Sequence, residues 1–334
     1  MFYFYIPEGI IGVTSFYIGI ITEAIERLGE QIVLVKRLKD IPKHSNVFTI
    51  TDKAATFVKL SRNPRFLVNW FQGISPEEMD MIYEGKAERF PRKIIRTATE
   101  RYAIKHCSLN IFVSEAMLSH YRQKYGYNGS NYFIMPCFGN GLDKTVFVDS
   151  RYEHPNFLYS GSTFKWQCLD EMLELFKLIK SRIPEASLTI FTPSKEIEIA
   201  RKLIRDHEVD ANVDSVSPNE LQEVIKTFKY GFIVREDTAV NQVATPTKMS
   251  NYMGAGIIPV YSDVVRDYKK HITGNSPYLV SFSSKEECID KLLNLETQTI
   301  SSEEILKSYE SIFSDYWDRE TYILQLMSVL NQYL

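Results

Sequence analysis

KYGFIVREDTAVNQVATPTKMSNYMGAGIIPV, Lys229 to Val260, decides how the rest of the chain is read. Its apolar run, Tyr230 to Val234, predicts a buried strand. The run breaks into a polar loop, Arg235 to Thr245. Pro246 then marks the first turn of a helix, where its missing N–H would have no partner anyway. Gly254 and Gly256 end that helix, and Ile257 to Val260 predicts a second strand. Strand, polar loop, helix N-terminus and strand form the unit that builds anion sites at the carboxyl ends of parallel strands.

Upstream, the same grammar repeats. FLYSGSTFKWQCLD, Phe157 to Asp170, puts a small-residue loop after a strand, and Lys165 at the entry to a helix. Free backbone N–H groups, the hydroxyls of Ser162 and Thr163, the ammonium of Lys165 and a positive helix end suit a pyrophosphate. In the first half, Phe2 to Ile6 reads as a strand, followed by a loop holding Glu8, Gly9 and Gly12 and a helix from about Thr14 to Leu28. The loop lacks the G-x-G-x-x-G pattern, so no dinucleotide site is read there. Further strands are expected at 32–35, 47–50, 65–70, 109–113 and 133–135. NWFQGISPEE, Asn69 to Glu78, ends one of them: Gln72 can both donate to and accept from sugar hydroxyls, while Glu77 and Glu78 suit a helix N-terminus. Ser114 reads as an N-cap.

Composition bounds the possibilities. A chain of 334 residues exceeds what one core usually absorbs, so two domains are expected. The 20 Tyr and 20 Phe suit sugar stacking as well as large cores. Cys107, Cys137, Cys168 and Cys288 lack metal or disulfide spacing, and no metal is expected. The N-terminus lacks the basic flank of a secretory signal, and Ile10 to Ile21 is too short to span a bilayer, so a cytoplasmic location is expected. Net charge is −3, split as +4 over residues 1–150 and −7 over the remainder. Arg89, Arg92, Lys93 and Arg96 share one arc of a basic helix, Arg89 to His106, while Ile94, Ile95, Ala98 and Tyr102 point away from it. That face is either solvated over a core-facing stripe or in contact with an anionic membrane.

These segments resemble the GT-B glycosyltransferases, and within them the retaining family 4 enzymes of bacterial capsule and O-antigen assembly. The resemblance rests on Arg235, Glu236, Asp237, Asn241, Pro246, Lys248, Tyr252, Gly256, Pro259 and Val260. Four further segments support it, around Gln72, Ser114, Gly161 and Trp317. It implies an α/β fold of two Rossmann-like domains facing a cleft: residues 1–150 for the acceptor, 151–315 for the donor, and a last helix, 316–334, packing back on the first domain. It also implies transfer of a sugar from a UDP- or GDP-linked donor to a hydroxyl of a lipid-linked saccharide acceptor, without a metal or other cofactor and without a nucleic-acid partner. Arg235, Glu236 and Lys248 would be catalytic. Gly161, Ser162, Thr163, Lys165, Asp237, Asn241, Thr245, Pro246, Thr247 and Asn251 would hold the donor. Glu8, Gly9, Gly12 and Gln72 would face the acceptor or cleft. The chain departs from the family at Asn251, where members carry the Glu that holds the ribose, and at Val243, where the earlier Glu of the pair would fall. A neutral amide accepts fewer and weaker bonds than a carboxylate. Two alternatives therefore stay open: a non-catalytic GT-B binding subunit, and a GT-B sugar-nucleotide epimerase.

Overall fold

Among the described residues, short apolar runs separated by amphipathic helices give twelve strands, all parallel, in two six-stranded sheets. The structure is a computed structural model that describes residues 1–7, 12–139 and 141–334; nothing is described of the side chains of 12, 13, 218 and 219. Glu8 and Gly9 lie outside the described residues, and Gly12 opens the first helix.

The chain divides into two units. The first comprises residues 1–137, 243–245 and 318–334. Its strands are β1 (Phe2–Tyr5), β2 (Ile32–Val35), β3 (Asn46–Thr49), β4 (Phe66–Phe71), β5 (Leu109–Phe112) and β6 (Tyr132–Ile134), in the order β2-β1-β3-β4-β5-β6. β4 and β5 are buried at every position, and apart from one asparagine in each they are apolar, as strands covered on both faces require. The two asparagines in these strands, Asn69 and Asn110, are paired in register. Asn69 Oδ1 accepts from the Thr49 hydroxyl at 2.7 Å and Asn110 Nδ2 donates to Ile104 O at 3.1 Å, while Asn69 Nδ2 and Asn110 Oδ1 are buried without a hydrogen-bond partner among the described residues. The helices are α1 (Gly12–Arg27), α2 (Asp52–Arg62), α3 (Ser75–Ile82), α4 (Arg89–His106) and α5 (Glu115–Tyr125). Ser114 caps α5 as its sequence position suggests, accepting from Met117 N at 2.8 Å.

The second unit, residues 138–242 and 246–317, holds β7 (Asn156–Ser160), β8 (Ser187–Phe191), β9 (Asn212–Asp214), β10 (Tyr230–Ile233), β11 (Ile258–Ser262) and β12 (Val280–Phe282). Their order is β12-β11-β10-β7-β8-β9. Numbered within the unit this is 3-2-1-4-5-6, the doubly wound order, and the order reverses between β7 and β10. The helices are α6 (Leu169–Arg182), α7 (Ile197–Asp206), α8 (Pro218–Val224), α9 (Ala239–Val243), α10 (Lys248–Gly254), α11 (Arg266–His271), α12 (Lys285–Glu296) and α13 (Ser302–Tyr316). α9 was not anticipated in the polar loop, and α10 starts at Lys248 rather than at Pro246. Residues 138–155 belong to this unit because Arg151 bonds the carbonyls of Phe228 (2.8 Å) and Ile225 (3.5 Å), tying its own segment to the end of β10's approach.

The last helix, α14 (Arg319–Leu330), returns to the first unit and packs on α1, with Arg27 Nη2 donating to Glu320 at 2.9 Å. The fold is α/β with two Rossmann-like halves and a C-terminal helix that crosses back.

One expectation about α4 fails. Ile94 and Ile95 do not face the body of the unit: they are 51% and 62% exposed, and Phe90 is 72% exposed. The buried residues of α4 lie in its second half, at Glu100, Ala103 and Ile104. The cause is Asp80 on α3, which bonds Arg89 at 2.6 Å and Lys93 at 3.0 Å. Those cations turn toward α3, and the apolar residues beside them turn outward.

Candidate functional site

In a sheet of this order, ligands sit beyond the carboxyl ends of the strands where the order reverses. Here those ends are the β7 loop, from Gly161, and the β10 loop, from Val234. Gly161 has φ +151, and a Cβ there would lie 2.6 Å from Lys248 Nζ, so only glycine lets the β7 loop pass under that side chain. After Phe164 the chain makes one tight turn, Lys165–Gln167, rather than entering a helix directly. Cys168 then adopts a left-handed conformation before α6 begins.

That turn aims Gln167 at two cations. Its Oε1 accepts from Arg235 Nη2 at 2.8 Å and from Lys248 Nζ at 2.7 Å. Its carbonyl accepts from Arg235 Nη1 at 3.0 Å, which also donates to Val234 O at 2.9 Å. Lys248 Nζ sits 4.1 Å from the centroid of the Tyr159 ring. Arg235 is 6% exposed. Among the described residues neither cation has a carboxylate within ion-pair distance. Burial, then the charge of Arg235, holds the Lys248 ammonium well below the ordinary lysine range. Two enclosed positive groups satisfied only by neutral acceptors are costly unless an anion completes them.

The other expected residues distribute as follows. Glu236 and Asp237 are exposed at the loop tip. The Glu171 carboxyl is pushed above its usual range, by partial burial first and by the neighbouring Glu236 carboxylate second. Asp237 Oδ1 accepts from Gln242 at 2.6 Å. Asn241 is buried and fastens the loop, donating to Glu236 O at 3.1 Å. Ser162 lies in the β7 loop with its carbonyl accepting from the Tyr159 hydroxyl at 2.5 Å. Thr163 gives both its N–H (2.6 Å) and its hydroxyl (3.1 Å) to Glu196, so the donors read as free for phosphate are engaged by a carboxylate here. Lys165 is exposed.

Thr245 belongs to the first unit, where it accepts from Cys137 N at 2.9 Å. Pro246 accepts through its carbonyl from Tyr268, and the Thr247 carbonyl accepts from Asn251 N at 3.0 Å. Asn251 lies one helical turn beyond Lys248 and lines a pocket of about 160 Å³ with Gly141, Asp143, Gln222, Glu223 and Lys226. A Cβ on Gly139 would fall 1.7 Å from Asn251 Oδ1, so the glycine makes room for that side chain. In the first unit, Gln72 is exposed just past β4 and donates to Ile50 O at 3.3 Å.

Gln167, Glu171, Cys168 and Glu196 were missed by sequence reading. Cys168 Sγ accepts from Glu236 N at 3.2 Å, so it clamps the two loops together. No local pattern marks these residues, because their partners come from distant segments.

The comparisons with known proteins agree with this topology. Sucrose-phosphate synthase from Thermosynechococcus elongatus superposes with a TM-score of 0.71 at 12% identity, over 99% of this chain and 98% of that one. Anabaena HepE, solved with UDP and glucose, gives 0.70 at 11% identity over 99% of both chains. WaaG, a glycosyltransferase involved in lipopolysaccharide biosynthesis, gives 0.62 at 14% identity over 98% and 99%. The chain has the GT-B fold. TarM of S. aureus matches with a TM-score of 0.65 at 16% identity, and the GT-B chain described here spans 57% of its length. No family model and no curated protein matches the sequence. Among the described residues of this GT-B chain, no helix is long and apolar enough to cross a membrane, and no group of three or more His, Cys, Asp or Glu side chains could hold a metal ion.

Proposed function

We propose that this GT-B chain is a glycosyltransferase. It moves a sugar from a UDP- or GDP-linked donor to a hydroxyl of a saccharide acceptor, with retention of configuration and without a metal. The observation that carries this reading is the pair Arg235 and Lys248, sharing one neutral acceptor at the point where the sheet order reverses. A nucleoside diphosphate supplies the missing negative charge. When the bond between the sugar's anomeric carbon and the diphosphate oxygen breaks, charge develops on that oxygen. Two preplaced cations stabilise it most strongly at that moment. The acceptor oxygen forms the new bond, and its proton leaves to the diphosphate. Glu236 and Asp237 are the carboxylates at the loop tip that would meet the hydroxyls of the sugar.

The acceptor in this proposal is lipid-linked and belongs to surface polysaccharide assembly. The basic residues of α4 support it: Arg89, Arg92, Lys93 and Arg96 would face an anionic membrane surface. Arg92, which has no carboxylate partner among the described residues, would contribute about 1 kcal/mol, and the three that lie beside Asp80 and Asp52 less. Asn251 supports a second reading, a binding subunit without transfer, since the pocket it lines has an amide where the resemblance expects a carboxylate.

Calorimetric titration with UDP, GDP and their sugars, on wild type and Lys248→Ala, tests the donor site. One nucleotide binding to wild type and not to the variant is the expected result. Transfer from the matching sugar nucleotide then separates the two readings. A folded protein that binds no nucleotide overturns the donor site.

A further inference from the structure

The first unit holds a pocket of about 180 Å³ between α2, α3 and α4. Phe57, Met79 and Ile95 wall it with carbon, while Lys53, Arg92 and Arg96 bring three positive charges to the same space. The residues around it are unusual for a solvated helix face. Phe57 is 47% exposed and Ile95 62%, and Phe90 and Ile94 extend the apolar surface along α4. Contiguous apolar surface edged by polar groups marks an interaction site.

The charges sort into two groups. Arg89 and Lys93 share the single carboxylate of Asp80, and Arg96 lies 3.9 Å from Asp52. Among the described residues Lys53 and Arg92 have no carboxylate partner; Arg92 only stacks on Tyr83, 4.6 Å from its ring centroid. Two of the three cations that line the carbon-walled pocket therefore have no carboxylate partner among the described residues. A small hydrated anion gains nothing from Phe57, Met79 and Ile95, and a neutral lipid gains nothing from Lys53 and Arg92. The complementary ligand is anionic at one end and apolar at the other.

We infer that this pocket binds a single anionic phospholipid, its phosphate against Lys53 and Arg92 and the first part of an acyl chain between Phe57, Met79 and Ile95. The inference rests on the membrane contact proposed above for the source of the lipid. It changes the nature of that contact, from a diffuse electrostatic face to one seated lipid. It is independent of sugar transfer.

The test uses monomeric lysophosphatidic acid, below its micelle concentration, titrated calorimetrically into the full chain. The same titration is made with the uncharged monoacylglycerol of equal chain length and with inorganic phosphate. Saturable binding of lysophosphatidic acid is expected, at least tenfold tighter than either control compound. Arg92→Glu and Ile95→Asp should each weaken it at least tenfold, while Arg101→Glu, the same charge change on α4 outside the pocket, should leave it unaltered. Nucleotide binding in the second unit reports that each variant is folded. Inorganic phosphate binding as tightly, or equal loss in Arg101→Glu, overturns the pocket. If the pocket fails in this way but phosphatidylglycerol vesicles still recruit the protein over phosphatidylcholine vesicles, the membrane contact stands without it.

Discussion

Gln167→Glu places a charge at the one atom both cations share, and it should move stability and binding in opposite directions. The replacement keeps size and shape. Its new oxygen anion would sit 2.8 Å from Arg235 Nη2 and 2.7 Å from Lys248 Nζ. At an effective dielectric of about 20, each contact is worth roughly 6 kcal/mol, or about 12 together. Replacing two neutral hydrogen bonds subtracts about 2–3 kcal/mol. Burying the carboxylate costs several more, leaving a net gain of roughly 3 kcal/mol for the unliganded protein. For a unit of this size that corresponds to a melting temperature higher by about 6–12 °C. The same carboxylate must be displaced from both cations before a diphosphate can bind, so nucleotide affinity should fall by about a hundredfold. Gln167→Ala, by contrast, should lower both. Scanning calorimetry without ligand and titration with the nucleotide that wild type binds read the two effects. A Gln167→Glu protein that melts no higher than wild type and binds nucleotide as well would refute the reasoning: the cations would then be neither uncompensated nor the anion site.

Two further outcomes follow from the same geometry. Because Lys248 is held below its ordinary range when free, an anion beside it must raise its pKa; binding should take up a proton, and affinity should fall as pH rises through the free value. Titrations in two buffers of unlike ionisation heat measure this, and no uptake at any pH up to the ordinary lysine range would contradict it. Gly161→Ala puts a methyl 2.6 Å from Lys248 Nζ at a backbone angle that L residues rarely adopt; it should weaken nucleotide binding at least tenfold and lower the melting temperature, and unchanged binding would show that Lys248 does not need its observed position.

How far the sequence could be read depended on whether the cause was local. The strands around Lys229–Val260 were legible because a run buried on both faces must be apolar throughout and must stop where the chain turns polar. The loops that carry Arg235 and Lys248 could be placed at strand ends for the same reason. Gln167 could not, because its role depends on β7 lying beside β10, a neighbour relation set by sheet order and not by any nearby residue. The engagement of Thr163 by Glu196 is hidden in the same way. α4 shows a different limit. Helical periodicity fixes the angles between side chains, so Arg89 and Lys93 were correctly placed on one arc and Ile94 and Ile95 on another. It does not fix which arc meets the protein. That was decided by Asp80, on another helix, which drew the basic arc toward α3 and left Ile94 and Ile95 outside. The basic arc is ion-paired but stays largely at the surface, and the apolar arc beside it is exposed too, unlike the usual amphipathic arrangement. Exposed carbon of this kind lowers the free energy only when something apolar covers it. The exposure of Ile94 and Ile95, more than the basic charge legible from the start, is therefore what the proposed lipid contact of α4 rests on.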